Sequence, residues 1–196
     1  MKVLVTGASG FLGSHIAEAL VKDGHDIRVL VRETSDRRFL AGFPHEEAIG
    51  DVTHPASLPP ALAGVAAVVH AAGLVKARSP EEFDAVNAKG TANLLAALDE
   101  AAPGLRRFVY VSSLAAHGPS EDGRPRPPDA PPLPITAYGR SKLKGEELVR
   151  AWRGSTRAVI IRPPVIYGPR DSQLLPFFRL ARWRIAPLLA GGRNQV

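Results

Sequence analysis

The sequence predicts an α/β fold built on a doubly wound parallel sheet. Short apolar runs alternate with stretches in which apolar residues recur at helical spacing, a pattern typical of repeated strand–helix units. The runs have few polar interruptions, as expected of parallel strands that are buried on both faces. The 196 residues have room for one such domain with a real core.

The composition is that of an ordinary globular protein, with 45% hydrophobic and 22% charged residues. The absence of cysteine excludes disulfides and thiolate metal ligands, and no metal site is expected. No apolar run approaches the roughly 18 residues of a membrane span. Because Met1 leads almost directly into an apolar strand, no signal peptide is expected, and a cytoplasmic location is predicted.

The net charge of +6 and the pI of about 10.1 raise the question of nucleic-acid binding. The excess comes from scattered arginines, and no helix alternates basic with aromatic residues. A modest positive field also suits an anionic cofactor or a nucleotide substrate. We therefore expect a small-molecule ligand and no nucleic acid.

The first strand, turn and helix predict a dinucleotide site. Val3–Val5 form a short apolar run, and apolar residues fall at helical spacing from Phe11 onward. Gly7 allows a tight turn, Gly10 lets the backbone approach a pyrophosphate, and Gly13 lets the helix pack close to the strand. The N–H groups at the helix start would then face the phosphates. The alternative is an ordinary turn that needed small residues.

The end of the second strand, residues 27–31, predicts the choice of cofactor. An acidic residue here would bind the 2′-hydroxyl of NAD, whereas an arginine suits the 2′-phosphate of NADP. Arg32 occupies this place, and Arg37 and Arg38 follow as further donors. NADP is therefore expected in preference to NAD. The alternative is that Arg32 is a solvated surface charge.

The middle of the chain supplies two more strand ends. After a weak strand at 47–50, Asp51 could cap the helix entered at Pro55. The apolar strand 65–70 ends in Ala71-Ala72-Gly73, where small residues leave space for a flat ligand.

Three polar positions then follow along the chain. His70 belongs to its strand and is interpreted as a core residue rather than a catalyst. Asn87 lies on the apolar side of a helix predicted over 80–101, so structural hydrogen bonding is a serious alternative to any cofactor contact. The strand that ends at Ser113 delivers its serines where open α/β sheets hold their ligands.

The second half of the chain adds a loop and three elements. The proline-rich stretch predicts an active-site loop over 118–136. A helix is predicted over 137–152, a strand over 158–161 and a last helix over 174–185.

A phenol and an ammonium share one helix face, because Tyr138 and Lys142 are four residues apart. A free tyrosine titrates near pH 10, roughly three units too high for a base. A nearby lysine favours the phenolate, by up to about three pKa units at close range. Ser113 lies 25 residues before the tyrosine and completes a triad.

Taken together, five motifs resemble the extended short-chain dehydrogenase/reductase superfamily, in particular its NAD-dependent epimerase/dehydratase family. The resemblance runs from residue 1 to about 190 and implies a Rossmann-type fold. The motifs are Thr6-Gly7-x-x-Gly10-x-x-Gly13, Ala71-Ala72-Gly73, Ser112-Ser113 through Gly118, Tyr138-x-x-x-Lys142, and Arg162-Pro-Pro-Val-Ile-Tyr-Gly-Pro169.

The resemblance assigns roles to residues. Ser113 orients the substrate oxygen, Tyr138 exchanges a proton with it, and Lys142 binds the cofactor ribose while lowering the pKa of the tyrosine. Pro164 and Val165 would lie against the nicotinamide. The implied cofactor contacts are Gly7, Ser9, Gly10, Phe11, Leu12, Gly13, Arg32, Asp51, Val52, Ala71, Ala72, Gly73, Asn87, Tyr138, Lys142, Pro164 and Val165.

Family members continue beyond the end of this sequence. We therefore expect a single Rossmann domain over 1–196, truncated after about residues 170–196 and lacking its C-terminal substrate lobe.

The implied activity is NAD(P)-dependent hydride transfer at a carbonyl or hydroxyl carbon. The substrate would be a sugar nucleotide or a small ketone or aldehyde. The family further implies a homodimer through the helices that contain Asn87 and Tyr138. The alternative is a non-catalytic, dinucleotide-sensing Rossmann module, but retention of Tyr138 and Lys142 favours chemistry.

Overall fold

The computed structural model describes residues 1–120, 124–154 and 156–184, and these form a doubly wound parallel sheet. The strand order is β3-β2-β1-β4-β5-β6, and every neighbouring pair is parallel. This confirms the predicted fold class. The strands are β1 Lys2–Thr6, β2 Asp26–Val31, β3 Glu46–Ile49, β4 Ala67–His70, β5 Arg107–Val111 and β6 Ala158–Ile161.

Helices cover both faces of the sheet. They are α1 Phe11–Lys22, α2 Leu58–Leu62, α3 Pro80–Phe83, α4 Gly90–Ala101, α5 Leu114–His117, α6 Ala137–Ala151 and α7 Leu175–Arg182. The helix predicted over 80–101 is continuous but not uniform, because Asp84–Lys89 form a π-helical segment between α3 and α4. Such segments occur frequently at functional sites. The end of the helix predicted over 174–185 lies outside the described residues.

Two apolar clusters flank the sheet because strand side chains alternate between its faces. One face carries Leu4, Val68 and Phe108, packed against α2, α4 and α6. The other carries Val5 and Val29, packed against α1 and the segment that follows β2. The sheet is thus fixed from both sides, and its carboxyl edge forms a rigid frame for the loops.

The packing of α6 against the sheet depends on a glycine. A Cβ at Gly145 would overlap the hydroxyl of the buried Tyr110 and would lie 3.0 Å from the carbonyl oxygen of Asn87. Gly104, in contrast, faces open space, and no atom lies within 4 Å of the position that a Cβ would occupy there.

We predict that Gly145→Ala lowers the free energy of unfolding by about 1–3 kcal/mol, because an extra methyl group overpacks a filled core. Gly104→Ala is the matched control and should change stability by less than about 1 kcal/mol in either direction. Urea denaturation measures both variants. Equal effects at the two positions would contradict this account of the α6 packing.

Candidate active site

A cleft of about 1000 Å³ lies along the carboxyl ends of the strands. It straddles β1 and β4, between which the strand order reverses, the usual ligand position in an open α/β sheet. Every predicted site residue except Asn87 lines it. These residues are Gly7, Ser9, Gly10, Phe11, Leu12, Gly13, Arg32, Asp51, Val52, Ala71, Ala72, Gly73, Ser113, Tyr138, Lys142, Pro164 and Val165.

The glycine turn has the conformation that the sequence predicts. Gly7 adopts φ of 75°, which favours glycine, and its carbonyl oxygen accepts a hydrogen bond from Gly10 N–H at 3.0 Å. A Cβ on Gly13 would overlap the carbonyl group of Gly7, so the helix can approach this closely only with glycine there. Gly10 is the N-cap of α1 and offers no capping side chain, which leaves N–H groups of the first turn for an anion.

A buried row of polar groups fixes the ends of β1 and β4 behind this turn. Thr6 Oγ1 contacts His70 Nδ1 at 2.7 Å and accepts from Ala72 N–H at 3.1 Å, and His70 Nε2 contacts Thr91 Oγ1 at 3.0 Å. Burial, and secondarily the charge of Lys142, lowers the pKa of His70 to about 3. The histidine is therefore a neutral part of the core, in line with its interpretation from the sequence.

Asn87 lies behind the cleft wall and does not line the cleft. Its Oδ1 accepts from Leu74 N–H at 2.8 Å, and its Nδ2 donates to Leu74 O at 3.0 Å and to Ser141 Oγ at 2.9 Å. A buried amide must satisfy these groups internally. These bonds give Asn87 the structural role that the sequence left open. Its contact with a cofactor stays a prediction.

The two serines after β5 have different environments. Ser112 is buried, and its hydroxyl donates to Glu146 Oε1 at 2.6 Å. Ser113 is half-buried, caps α5 through a hydrogen bond from Ala115 N–H at 3.1 Å, and lies within hydrogen-bonding reach of the Tyr138 phenol. Ser113, rather than Ser112, therefore has a hydroxyl near the phenol.

Tyr138 and Lys142 both reach the cleft from α6. Burial raises the pKa of Tyr138, and the hydrogen bond with Ser113 opposes that rise. The lowering of this pKa by Lys142, which the family resemblance implies, stays a prediction.

Lys142 is 4% exposed, and its Nζ lies 4.3 Å from the centre of the Tyr110 ring. Burial lowers its pKa to about 7, although the charge of Glu146 partly opposes the change. Within the described part of the chain, no hydrogen bond from Nζ to a protein acceptor is found.

A buried carboxylate, that of Glu146, links the elements that carry the cleft residues. Glu146 is fully buried and accepts from Arg162 through both oxygens, at 2.8 and 2.7 Å. Burial alone would raise the pKa of Glu146, but hydrogen bonds from Arg162 and Ser112 outweigh it and hold this pKa below its usual value. Arg162 also contacts His117 Nδ1 at 2.9 Å, and His117 Nε2 contacts Pro127 O at 3.0 Å. The proline-rich loop is thereby joined to the same network.

The three arginines after β2 differ in their partners and in whether they line the cleft. The Nε–H of Arg37 is shared by both carboxylate oxygens of Glu47, at 3.0 and 2.9 Å, and Arg38 pairs with Asp36 at 3.0 Å. Arg32 alone of the three lines the cleft, where its exposed guanidinium lies 4.0 Å from Asp51. Of these three arginines, Arg32 is therefore the donor that faces the cleft.

Asp51 does not cap the following helical turn, which begins after His54. Its Oδ1 instead accepts from the backbone N–H and the hydroxyl of Thr53, at 2.8 and 2.9 Å.

The cleft wall after β6 extends beyond the predicted Pro164 and Val165. Sequence reasoning missed Ile166, Asp171 and Gln173, which also line the cleft. The segment is fastened to α1 because Arg170 donates to Glu18 at 2.6 Å. This contact joins residues 152 positions apart in the chain, and no local pattern indicates it.

Among the described residues, no helix is long and apolar enough to cross a membrane, and no cluster of side chains could hold a metal ion.

The sheet order, the glycine turn and the cleft define a dinucleotide-binding protein of the Rossmann type. More particularly, the chain belongs to the NAD dependent epimerase/dehydratase family, whose model matches residues 3–189.

The relatives that this chain resembles include reductases and an epimerase. It is 40% identical over 189 residues to ceramide reductase of Caulobacter vibrioides, covering 96% of this chain and 54% of the relative. It is 34% identical to a 4-hydroxy-2-methyl-3-oxo-4-farnesyl-3,4-dihydroquinoline-1-oxide ketoreductase of Stigmatella aurantiaca, covering 90% and 53%. The structure of UDP-glucuronic acid 4-epimerase from Bacillus cereus in complex with NAD is 26% identical, with a TM-score of 0.80 and coverage of 94% and 62%. The chain spans about half the length of the curated relatives it matches.

We predict that Lys142→Met stabilises the chain at pH 7 and flattens the dependence of its stability on pH. The folded pKa of about 7 lies below the ordinary 10.5, so the unfolded chain binds more protons between these values. The stability of the wild type should therefore rise from pH 7 to 9 by up to about 1.4 kcal/mol per pH unit relative to the variant.

Urea denaturation at several pH values measures this difference. Lys144→Met, on the same helix but exposed and paired with Asp84, is the control and should follow the wild type. If the free energy of unfolding changed with pH in the same way for the wild type and Lys142→Met, the Lys142 side chain would not be buried as described.

Proposed function

We propose that the chain carries the catalytic half of an NADP(H)-dependent oxidoreductase, which transfers hydride between nicotinamide and a carbonyl or hydroxyl carbon. The observation that carries the proposal is the buried ammonium of Lys142, which lacks a protein hydrogen-bond acceptor within the described residues and shares a cleft with Ser113 and Tyr138. Charging a buried amine that has no protein hydrogen-bond acceptor is costly, and such groups are typical of functional sites.

The residues present fit a dinucleotide cofactor. A Cβ at Gly7 would lie 2.7 Å from Ala72 N, so the two loops meet where only small residues fit. The unfilled first turn of α1 suits the pyrophosphate, and Lys142 can donate to ribose hydroxyls. A bound nicotinamide supplies the hydride, which is the difficult part of the chemistry.

The protein groups then handle the substrate oxygen. Ser113 donates a hydrogen bond to the oxygen and fixes its position. Tyr138 gives its phenolic proton to that oxygen during reduction and takes it back during oxidation. Lys142, once its ammonium is hydrogen-bonded to a ligand, regains its charge and favours the phenolate of Tyr138.

The curated relatives include both activities. The ketoreductase of Stigmatella aurantiaca and an N-acetyl-alpha-D-glucosaminyl-diphospho-ditrans,octacis-undecaprenol 4-epimerase of Escherichia coli O157:H7 are each 34% identical to this chain, whereas ceramide reductase of Caulobacter vibrioides is 40% identical. The higher identity to a reductase supports reduction of a carbonyl. Both reactions need the same hydride exchange. Relatives with either activity therefore support an enzyme rather than a dinucleotide sensor. We place this chain with the reductases.

We predict that Tyr138→Phe reduces turnover by about 10²–10⁴-fold while cofactor affinity is retained, because only the transferable proton is lost. NADPH absorbance follows turnover with 2-butanone as the carbonyl probe, and NADPH fluorescence gives the affinity. Tyr167→Phe is the control, because Tyr167 is exposed and is not part of the cleft lining. Full turnover by Tyr138→Phe, or none by the wild type, would refute the proposal.

The preference for NADP(H) rests on Arg32. Its guanidinium lies at the cleft end of β2, where the 2′-position of the adenosine ribose is expected. Its ion pair with Asp51 is long and exposed, so a phosphate can compete for it.

We predict that Arg32→Ala weakens NADPH binding by about 10- to 100-fold and changes NADH binding by less than about threefold, because a charge-assisted hydrogen bond is lost only with the phosphate. Arg38→Ala is the matched control, since Arg38 pairs with Asp36 and does not line the cleft. Fluorescence titrations measure all four affinities. Tighter binding of NADH than of NADPH by the wild type would overturn the assignment.

A further inference from the structure

The cleft contains exposed apolar side chains beside its catalytic groups. Val75, Leu114 and Ile166 line it and remain 50%, 47% and 39% exposed. We call these three residues the apolar rim. Leu114 directly follows Ser113, so the rim begins next to the hydroxyl assigned to the substrate oxygen. Exposed apolar surface that surrounds a few polar groups is typical of a ligand site.

The backbone under the rim is held in place. Asn87 binds both the N–H and the carbonyl of Leu74, the neighbour of Val75, and is itself bonded to Ser141 on α6. Leu114 N–H donates to Pro163 O at 3.0 Å, which fixes the segment leading to Ile166. The apolar rim is therefore a preformed surface whose backbone is fixed by hydrogen bonds. A ligand that binds there loses little affinity to ordering of the protein.

Few charged side chains line the cleft. Of the described residues that line the cleft, Arg32 and Lys142 are the cations, and the proposed function assigns both to the cofactor. Asp171 is an anion whose carboxylate accepts from Gln173 N–H at 2.7 Å. A diphosphate at the substrate position would therefore find no further cation among these residues, whereas an apolar group would meet the rim.

We propose that the substrate carbonyl is attached to an alkyl or isoprenoid-like apolar chain that lies along the rim. The inference rests on the proposed function. Hydride from NADPH would reach the carbonyl carbon and the proton of Tyr138 its oxygen, giving a secondary alcohol from a ketone and a primary alcohol from an aldehyde, with NADP⁺. The apolar chain of the substrate takes no part in the chemistry. It contributes binding free energy, and affinity rises about fourfold for each methylene that becomes fully buried.

Calorimetric titration of the 196-residue chain with 2-butanol, 2-hexanol and 2-octanol tests this inference, with and without NADP⁺. We expect affinity to rise by about two- to fourfold per methylene, with a negative heat-capacity change. Leu114→Ser and Val75→Ser should each weaken 2-octanol binding by about tenfold and 2-butanol binding much less. Ile49→Ser is the matched control, because Ile49 is similarly exposed at 51% but lies outside the cleft lining.

The outcomes separate this inference from the proposed function. Affinities independent of chain length, or UDP that binds and displaces 2-octanol, would overturn the apolar-chain assignment even if NADP⁺ binds. Loss of NADP⁺ binding together with a preserved chain-length series would refute the oxidoreductase and leave the assignment standing. An equal effect of Ile49→Ser would show that the alcohols bind to general apolar surface, and would also overturn it.

Discussion

The geometry of the site depends on one buried carboxylate. Glu146 lies on α6 and binds Arg162, which follows β6, and Ser112, which follows β5. It therefore fixes α6, the helix that carries Tyr138 and Lys142, against the ends of β5 and β6. Ser113 follows the first of these strands, and the cleft-lining residues 163–166 follow the second. Removing one partner from such a buried ion pair typically costs about 3–5 kcal/mol, because the other charge remains buried. A merely apolar contact would not define the relative positions of these three elements as narrowly.

The same network explains why Lys142 stays available for a ligand. Lys142 is one helical turn from Glu146, but the oxygens of that carboxylate are already engaged by Arg162, Arg150 and Ser112. The lysine therefore feels an opposite charge that raises its pKa, while burial lowers this pKa more strongly. The protein keeps a destabilising group in its cleft, as sites that need a reactive side chain commonly do.

The sequence predicts the parts of this structure that follow from local pattern and sheet topology. The glycine turn, the strand ends and the Tyr138–Lys142 pair meet because parallel strands share one carboxyl edge and helical residues four apart share one face. Side-chain partners across the fold were not predictable in this way. Arg37 pairs with Glu47 and Asn87 turns to Leu74 because folding brings these groups together, and residue type alone did not distinguish them from cleft residues.

The cleft therefore divides into two ends with different chemistry. In the proposed function, backbone N–H groups of the glycine turn and Arg32 bind the phosphates of the cofactor, whereas the apolar rim that begins beside Ser113 binds the substrate. Lys142 and Tyr138 lie where the two ends meet, and both come from one helix that Glu146 fixes. Under that proposal, cofactor choice and substrate choice are carried by different loops on one rigid frame. Because substitutions at separate sites act nearly additively, the side chains of the rim could change without altering the hydride-transfer groups.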